Sequence, residues 1–207
     1  MLVKYIHFKN ICDFIFALLM LIFIFPFLII ISVLILFIDG KPLFYVQNRV
    51  GINGKIFKIL KFRTMKNNVN SNFERNVLDL SDEDLAKERL KFKTVSKNDI
   101  RITNLGKILR KLHIDELPQL INVLKGDMSF VGPRPDSPVQ KNDYKGNVWQ
   151  ERISVKPGIT GLAQLYTCFL LEERTFYDIK YKKDKNIILD FLILCRTLIK
   201  IFYFRGE

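Results

Sequence analysis

Cysteine and histidine are scarce in this 207-residue chain, and neither is spaced for chemistry. Cys12, Cys168 and Cys195 are odd in number and show no C-x-x-C pair, which excludes a disulfide scaffold and reads as reduced structural thiols. His7 and His113 have no metal-ligand partner at helical spacing. There is no internal repeat, no low-complexity tract and no recognised nucleic-acid motif. Formal charge is missing over one long stretch, the 25 residues from Phe14 to Ile38.

What is present is apolar and basic. Hydrophobic residues make up 49% and aromatics 13%, with 18 phenylalanines, so the chain can build a core and is not disordered. Lysine and arginine number 33 against 21 acidic residues, giving +12. Lys4, Lys9, Asp13 and Asp39 cancel within residues 1–40, so the whole excess lies after Gly40. A basic body behind an apolar head suits a partner that is anionic, membranous or both.

At about 1.5 Å per residue the uncharged run extends roughly 37 Å, beyond a hydrocarbon core of about 30 Å. It is too long for a secretory signal, and Asp39-Gly40-Lys41-Pro42 is no cleavage site, so it is expected to stay with the mature protein. Pro26, at its centre, removes a backbone donor and clashes with the preceding turn. Two geometries follow: a kinked transmembrane helix, or a re-entrant helix that bends at Pro26 and returns to its own side. Positive charge on both flanks (Lys4, His7 and Lys9 before; Lys41, Arg49, Lys55 and Lys58 after) suits two cytoplasmic ends. Residues 1–40 are therefore taken as a membrane-anchoring helix and 41–207 as a cytoplasmic domain at the membrane surface.

In Ile187–Phe204, Phe191, Leu192, Cys195, Leu198, Ile199 and Phe202 share one helical face, opposite Asp190, Arg196, Thr197 and Lys200. This is either a helix laid on the core or an interfacial helix. Between Lys41 and Met65, β-leaning segments flank Val50-Gly51-Ile52-Asn53-Gly54, the signature of a hairpin. Ser81 is placed to cap a short charged helix, SDEDLAKERLKF. The fold class is α+β and mainly helical, with a small β-hairpin, an N-terminal membrane helix and amphipathic interfacial helices.

Residues Arg101–Pro135 carry the chemistry. LGKILRKL has helical spacing, Pro118 suits the first turn of a second helix, and Gly126 suits its end. Asp115 and Glu116 therefore fall at or just before a helix N-terminus, where paired carboxylates are commonly only dipole-stabilising caps. Their surroundings argue for more. Arg110 and Lys111 precede them, Gly132-Pro133-Arg134-Pro135 presents an arginine stiffly between prolines, and Lys156-Pro157-Gly158-Ile159-Thr160-Gly161 offers a glycine loop with free backbone donors. Carboxylates, rigid cations and glycine loops beside a membrane anchor are the parts phosphoryl transfer uses.

These stretches resemble the bacterial sugar transferases, and more narrowly the small monotopic polyprenol-phosphate phosphoglycosyl transferases. The matching pieces are RVGINGKIFKILKFRTM, NDIRITNLGKILRKLHIDELPQLINVLKGDMSFVGPRP, VKPGITGLAQ and FYDIKY…LDFLIL, in family order over nearly the whole chain. The resemblance implies transfer of a sugar 1-phosphate from a UDP-sugar to undecaprenyl phosphate, with release of UMP, at the bacterial cytoplasmic membrane, opening glycoconjugate or polysaccharide assembly. It implies a ping-pong mechanism with Asp115 as the nucleophile forming a covalent phosphosugar, and Glu116 assisting by orienting Mg²⁺ or handling a proton. Mg²⁺ would sit at Asp115 and Glu116; Lys61, Arg63, Arg110 and Arg134 would bind phosphates. Nearby cations are expected to lower the Asp115 pKa. Membrane lipids are expected partners, nucleic acid is not, and oligomeric state stays open, a homodimer included.

The chain departs from the family's pattern at Phe25, where a serine often precedes the membrane proline; at Leu165–Glu172, which replaces an asparagine-glycine-arginine type of sequence; and in the length of residues 67–97. Two other readings compete: a basic protein that binds nucleic acid or another anionic polymer, and a non-catalytic membrane scaffold. Neither accounts for both the apolar run and the Asp-Glu pair.

Overall fold

The computed structural model describes residues 2–66, 81, 83, 85, 87, 99–166, 168 and 170–203. With apolar side chains on every face, Leu2–Ile38 forms one helix, α1, that contains Pro26. Its few covered positions repeat every three or four residues. Ala17, Ile31 and Ile35 are buried, while Met20, Leu21, Ile24 and Leu28 pack partly against the body. Polar contacts secure both ends of this stripe. Lys9 Nζ and the Tyr5 hydroxyl donate to Asp190 at 2.7 Å, and at the other end Thr103 Oγ1 donates to Asp39 at 2.8 Å. The remaining faces of α1 are bare: Phe23 is 82% exposed and Phe37 87%.

β1 (Phe44–Val50) and β2 (Ile56–Phe62) pair antiparallel, with Phe44 opposite Phe62 and Val50 opposite Ile56. The expected Asn-Gly turn closes them, Asn53 and Gly54 both adopting positive φ (52° and 79°). Leu85 is buried and helical, its N–H donating to the Ser81 carbonyl, as a helix beginning after Ser81 requires. The rest of the predicted SDEDLAKERLKF helix, and most of residues 67–97, lie outside the described residues.

α2 (Asn104–Lys111) begins at Thr103, whose Oγ1 accepts from the Gly106 N–H at 2.8 Å. A 3-10 turn, Ile114–Glu116, leads through Pro118 into α3 (Gln119–Leu124), which ends before Gly126 at φ 78°. β3 (Ser129–Val131) then pairs in parallel with β4 (Gly158–Thr160), and α4 (Val148–Ile153) lies in the crossover. α5 (Leu162–Leu165), α6 (Leu171–Asp184) and α7 (Ile187–Tyr203) complete the described fold. The main core joins Ala17 of α1 to Phe57, Leu120, Val131, Tyr181 and Ile193.

α7 is oriented opposite to an ordinary surface helix. Its body-facing side combines buried Ile193 with polar anchors. Asp190 accepts from Tyr181, Thr197 Oγ1 bonds Thr160 Oγ1, and Lys200 Nζ donates to the carbonyls of Gln164 and Leu165. The apolar face points away, with Phe191 64%, Leu198 56% and Ile199 56% exposed. Of the two readings of this segment, that is the arrangement of an interfacial helix.

Candidate active site

The hairpin register lines up one wall. Side chains alternate across a strand, so Tyr45, Gln47 and Arg49 of β1 share a face with Phe57, Ile59 and Lys61 of β2. The opposite wall comes from β3 and β4. Gly132 donates to the Thr160 carbonyl and Gly158 to the Pro133 carbonyl, both at 2.9 Å, so the Gly132–Pro135 and Lys156–Gly161 loops lie backbone against backbone. The glycine-loop donors are thus not all free as expected: the Gly158 N–H is spent on this contact. The 3-10 turn closes the third side. The resulting pocket is lined by Arg49, Ile59, Lys61, Glu116, Gln119, Arg134, Pro135, Gly158 and Ile159.

Three of the expected site residues meet directly. Lys61 Nζ donates to Glu116 Oε1, and an Arg134 guanidinium nitrogen stands 3.6 Å from the same oxygen. Burial alone would raise the Glu116 pKa, but Lys61 and Arg134 together outweigh it and hold this carboxyl at about 2. Arg134 is half exposed and projects from its proline-flanked loop.

Asp115, one residue earlier, differs. It is 8% exposed and makes no hydrogen bond or ion pair among the described residues. Burial raises its pKa; Lys61 and Arg110 pull down, while the Glu116 charge pushes up. The expectation of a lowered value is therefore corrected. The cation that pulls on it most, Lys61, is engaged by Glu116, and desolvation wins. The turn holding both carboxylates starts from His113, a non-glycine residue at φ 55°, a conformation that costs of order 1–3 kcal/mol and concentrates at functional sites.

Arg110 Nε donates to Thr64 Oγ1 at 2.8 Å, which fixes this cation within electrostatic reach of Asp115. Arg63 is not brought to the cluster. It is 5% exposed and donates to the carbonyls of Asp39 (2.5 Å), Gly40 and Lys41 (2.7 Å), tying the end of α1 to the hairpin. Two wall residues were not among the expected ones. Gln119 lies on the first turn of α3. Arg49 donates to Gln47 Oε1 at 2.7 Å, and its Nε is buried without a hydrogen-bond partner. Period-two alternation from Lys61 across the hairpin would have found Arg49, given the register.

The Lys61–Glu116 pair is mostly buried, so losing Lys61 leaves an undercompensated anion. Lys61→Met is expected to destabilise the fold by about 2 kcal/mol at pH 7, below the full cost of a buried pair because both side chains retain some exposure. Glu116 has a depressed pKa. The stability it contributes is complete above its ordinary value and lost as pH falls toward about 2. Urea unfolding should therefore show the gap between wild type and variant narrowing from pH 7 to pH 3.

The matches to known proteins agree with this geometry. Residues 4–204 match the family model for bacterial sugar transferases. The chain is 37% identical over 204 residues to a UDP-glucose:undecaprenyl-phosphate glucose-1-phosphate transferase of Klebsiella pneumoniae, which covers 94% of this chain and 40% of that protein. It is 34% identical over 180 residues to a UDP-N-acetylgalactosamine-undecaprenyl-phosphate N-acetylgalactosaminephosphotransferase of Aeromonas hydrophila, covering 84% and 38%. Exopolysaccharide production protein ExoY of Sinorhizobium fredii is 33% identical over 207 residues, with 96% and 87% covered. The chain thus spans about two fifths of the length of the first two proteins and most of the third. It belongs to the bacterial sugar transferase family.

Proposed function

We propose that this protein transfers a sugar 1-phosphate from a UDP-sugar to undecaprenyl phosphate and releases UMP, in two displacements through an aspartyl intermediate. The observation that carries the reading is the contrast within the Asp-Glu pair. Glu116 is neutralised by Lys61 and Arg134, whereas Asp115 is buried without a partner beside the same cationic pocket. An unpaired, desolvated carboxylate whose proton affinity is raised is a stronger nucleophile than a paired one. In the first step a carboxylate oxygen of Asp115 bonds the sugar-bearing phosphorus. The bond from that phosphorus to the bridging oxygen breaks, and UMP leaves with the electron pair. In the second step a phosphate oxygen of the acceptor attacks the same phosphorus, and the Asp115 carboxylate is released.

The other residues take supporting roles in this reading. Lys61, Arg134 and Arg49 surround the diphosphate with positive charge, which offsets its repulsion from Asp115. Arg110, held by Thr64, adds charge beside Asp115. Among the described residues no cluster of three or more His, Cys, Asp or Glu side chains could hold a metal. Mg²⁺ does not need one, because it is commonly held by one or two carboxylates together with substrate phosphates. Asp115, lacking a cation partner, and the Glu116 oxygen turned away from Lys61 fit that mode. A bound ion would neutralise diphosphate charge.

The membrane reading rests on two bare apolar surfaces. Within Lys4–Ile38, α1 has an 18-residue window of mean hydropathy 3.3, and the outer face of α7 exposes Phe191, Leu198 and Ile199. Tyr5 and Asp39, near opposite ends of α1, are both bonded to the same body through Asp190 and Thr103. That supports the re-entrant geometry over a simple crossing, with the body on the cytoplasmic side where nucleotide sugars are found.

The test is UMP release by purified protein given Mg²⁺, undecaprenyl phosphate and UDP-glucose, UDP-galactose or UDP-N-acetylated amino sugars. Release with one donor, dependent on the acceptor at steady state, is expected. Folded protein inactive across the panel would contradict the reading.

A further inference from the structure

Behind the pocket lies a buried ion network that none of the roles above uses. Arg152 of α4 is 4% exposed, and its guanidinium is fully engaged. One terminal nitrogen donates to the Arg134 carbonyl at 2.5 Å, the other to Asp136, and Nε to Asp178 of α6 at 2.8 Å. Asp136 also accepts from the Tyr144 hydroxyl and from Arg174. Two carboxylates thus meet two guanidinium groups, and the buried charge balances. The attraction of Arg152 and Arg174 keeps Asp136 below its ordinary pKa despite burial.

These side chains are not in the pocket lining, yet they reach its wall at two points. One is the Arg134 carbonyl. The other is the Asp136 backbone carbonyl, which accepts the Val50 N–H at 2.9 Å, next to Arg49, whose own guanidinium is 3.4 Å from the Pro135 carbonyl. Both arginines that line the pocket are therefore referenced to one buried node. Stability alone does not call for such a node, since apolar packing of similar volume commonly does as well as a buried ion pair. What apolar packing cannot do is hold a carbonyl and two carboxylates at fixed angles from one planar fork.

We propose that Arg152 is a positioning residue for the donor-phosphate site. By fixing the Arg134 carbonyl and Asp136, it sets where the Arg134 guanidinium stands. The proposal rests on the reading that this pocket takes the diphosphate of a UDP-sugar. It predicts that lysine cannot replace Arg152, because an ammonium keeps the charge but loses the three-way fork.

The experiment is a double-mutant cycle read by UDP binding and by the KM for the donor. Arg134→Gln alone should weaken UDP by about tenfold or more, as expected for loss of a charged hydrogen bond. In an Arg152→Lys background the same change should cost less than about threefold, since Arg134 is already displaced. Arg174→Lys, which alters the same carboxylate but makes no contact with the Arg134 carbonyl, should leave UDP affinity within about twofold. Additive costs, or an equal loss from Arg174→Lys at similar unfolding temperatures, would overturn the proposal. If Arg152→Lys does not fold, Asp178→Asn, which weakens the Nε anchor and the 3.9 Å pair with Arg174 but leaves the Arg134 carbonyl contact in place, takes its place in the cycle and should show the same sign of coupling. Additivity in an enzyme that still releases UMP rejects the positioning role alone. A wild type that binds UDP but releases no UMP rejects the reaction and leaves the cycle to be judged on binding.

Discussion

Asp115→Asn is expected to abolish UMP release, by about a thousandfold or more, and at the same time to raise the unfolding temperature at neutral pH. The first effect follows from removing the attacking oxygen while keeping the side chain's size. The second follows from linkage. Burial raises the Asp115 pKa in the folded state, so the folded protein holds this proton more tightly than the unfolded chain does. Such a group contributes its stability below the unfolded value, and that contribution is lost as pH rises through the folded one. At neutral pH the ionised, buried carboxylate is a cost that asparagine removes. Thermal unfolding of the purified protein at pH 7 and pH 4 checks this, with the advantage of the variant shrinking in acid. Glu116→Gln should behave in the opposite way, losing stability at pH 7, because Lys61 and Arg134 stabilise the Glu116 charge. A destabilised Asp115→Asn protein would mean that this carboxylate has a partner and is not poised to attack.

The second large effect is structural. A methyl group on Gly158 would sit 2.1 Å from the Gly132 nitrogen and 2.5 Å from the Thr160 carbonyl oxygen. Both obstacles are backbone and cannot rotate away, so Gly158→Ala must separate β3 from β4. The expected cost is about 3 kcal/mol, at the upper end for inserting a methyl group into a packed interior. Because Gly158 and Pro135 line the pocket from the two loops this contact joins, UDP binding should fall further than stability alone explains. Urea unfolding together with UDP titration of the folded fraction separates the two losses. A variant with unchanged unfolding and unchanged UDP affinity would show that the close approach of the loops is dispensable.

The sequence was most informative where chemistry and geometry are local. The Asn53-Gly54 turn, the helical spacing of Leu105–Leu112, Pro118 before α3 and Gly126 after it were all legible, since periodicity, prolines and positive-φ positions act within a few residues. Glu116 and Arg134 were legible as a paired carboxylate and a proline-held cation, whereas Lys61 was legible as a site residue only through motif resemblance. Nothing in their spacing predicts that one oxygen of Glu116 faces both cations. What stayed hidden depends on register and burial. Arg49 enters the pocket only through hairpin pairing, and Arg63 is drawn away by three carbonyls at the end of α1. The Asp115 pKa moved up rather than down because Lys61 is committed to Glu116, a choice made by distances that sequence does not carry. α7 showed the same limit. Its two faces were correctly separated by periodicity, yet only the contacts of Asp190, Thr197 and Lys200 show that the polar side turns inward.

The central claim is the covalent role of Asp115, and intact-mass measurement of the protein after exposure to its UDP-sugar, with no acceptor present, tests it most directly. The account predicts a mass increase equal to one sugar phosphate, located in the peptide containing Asp115, absent in Asp115→Asn and lost on addition of undecaprenyl phosphate. An unmodified protein that releases UMP only when donor and acceptor are present together would contradict it, and so would an adduct on any other residue.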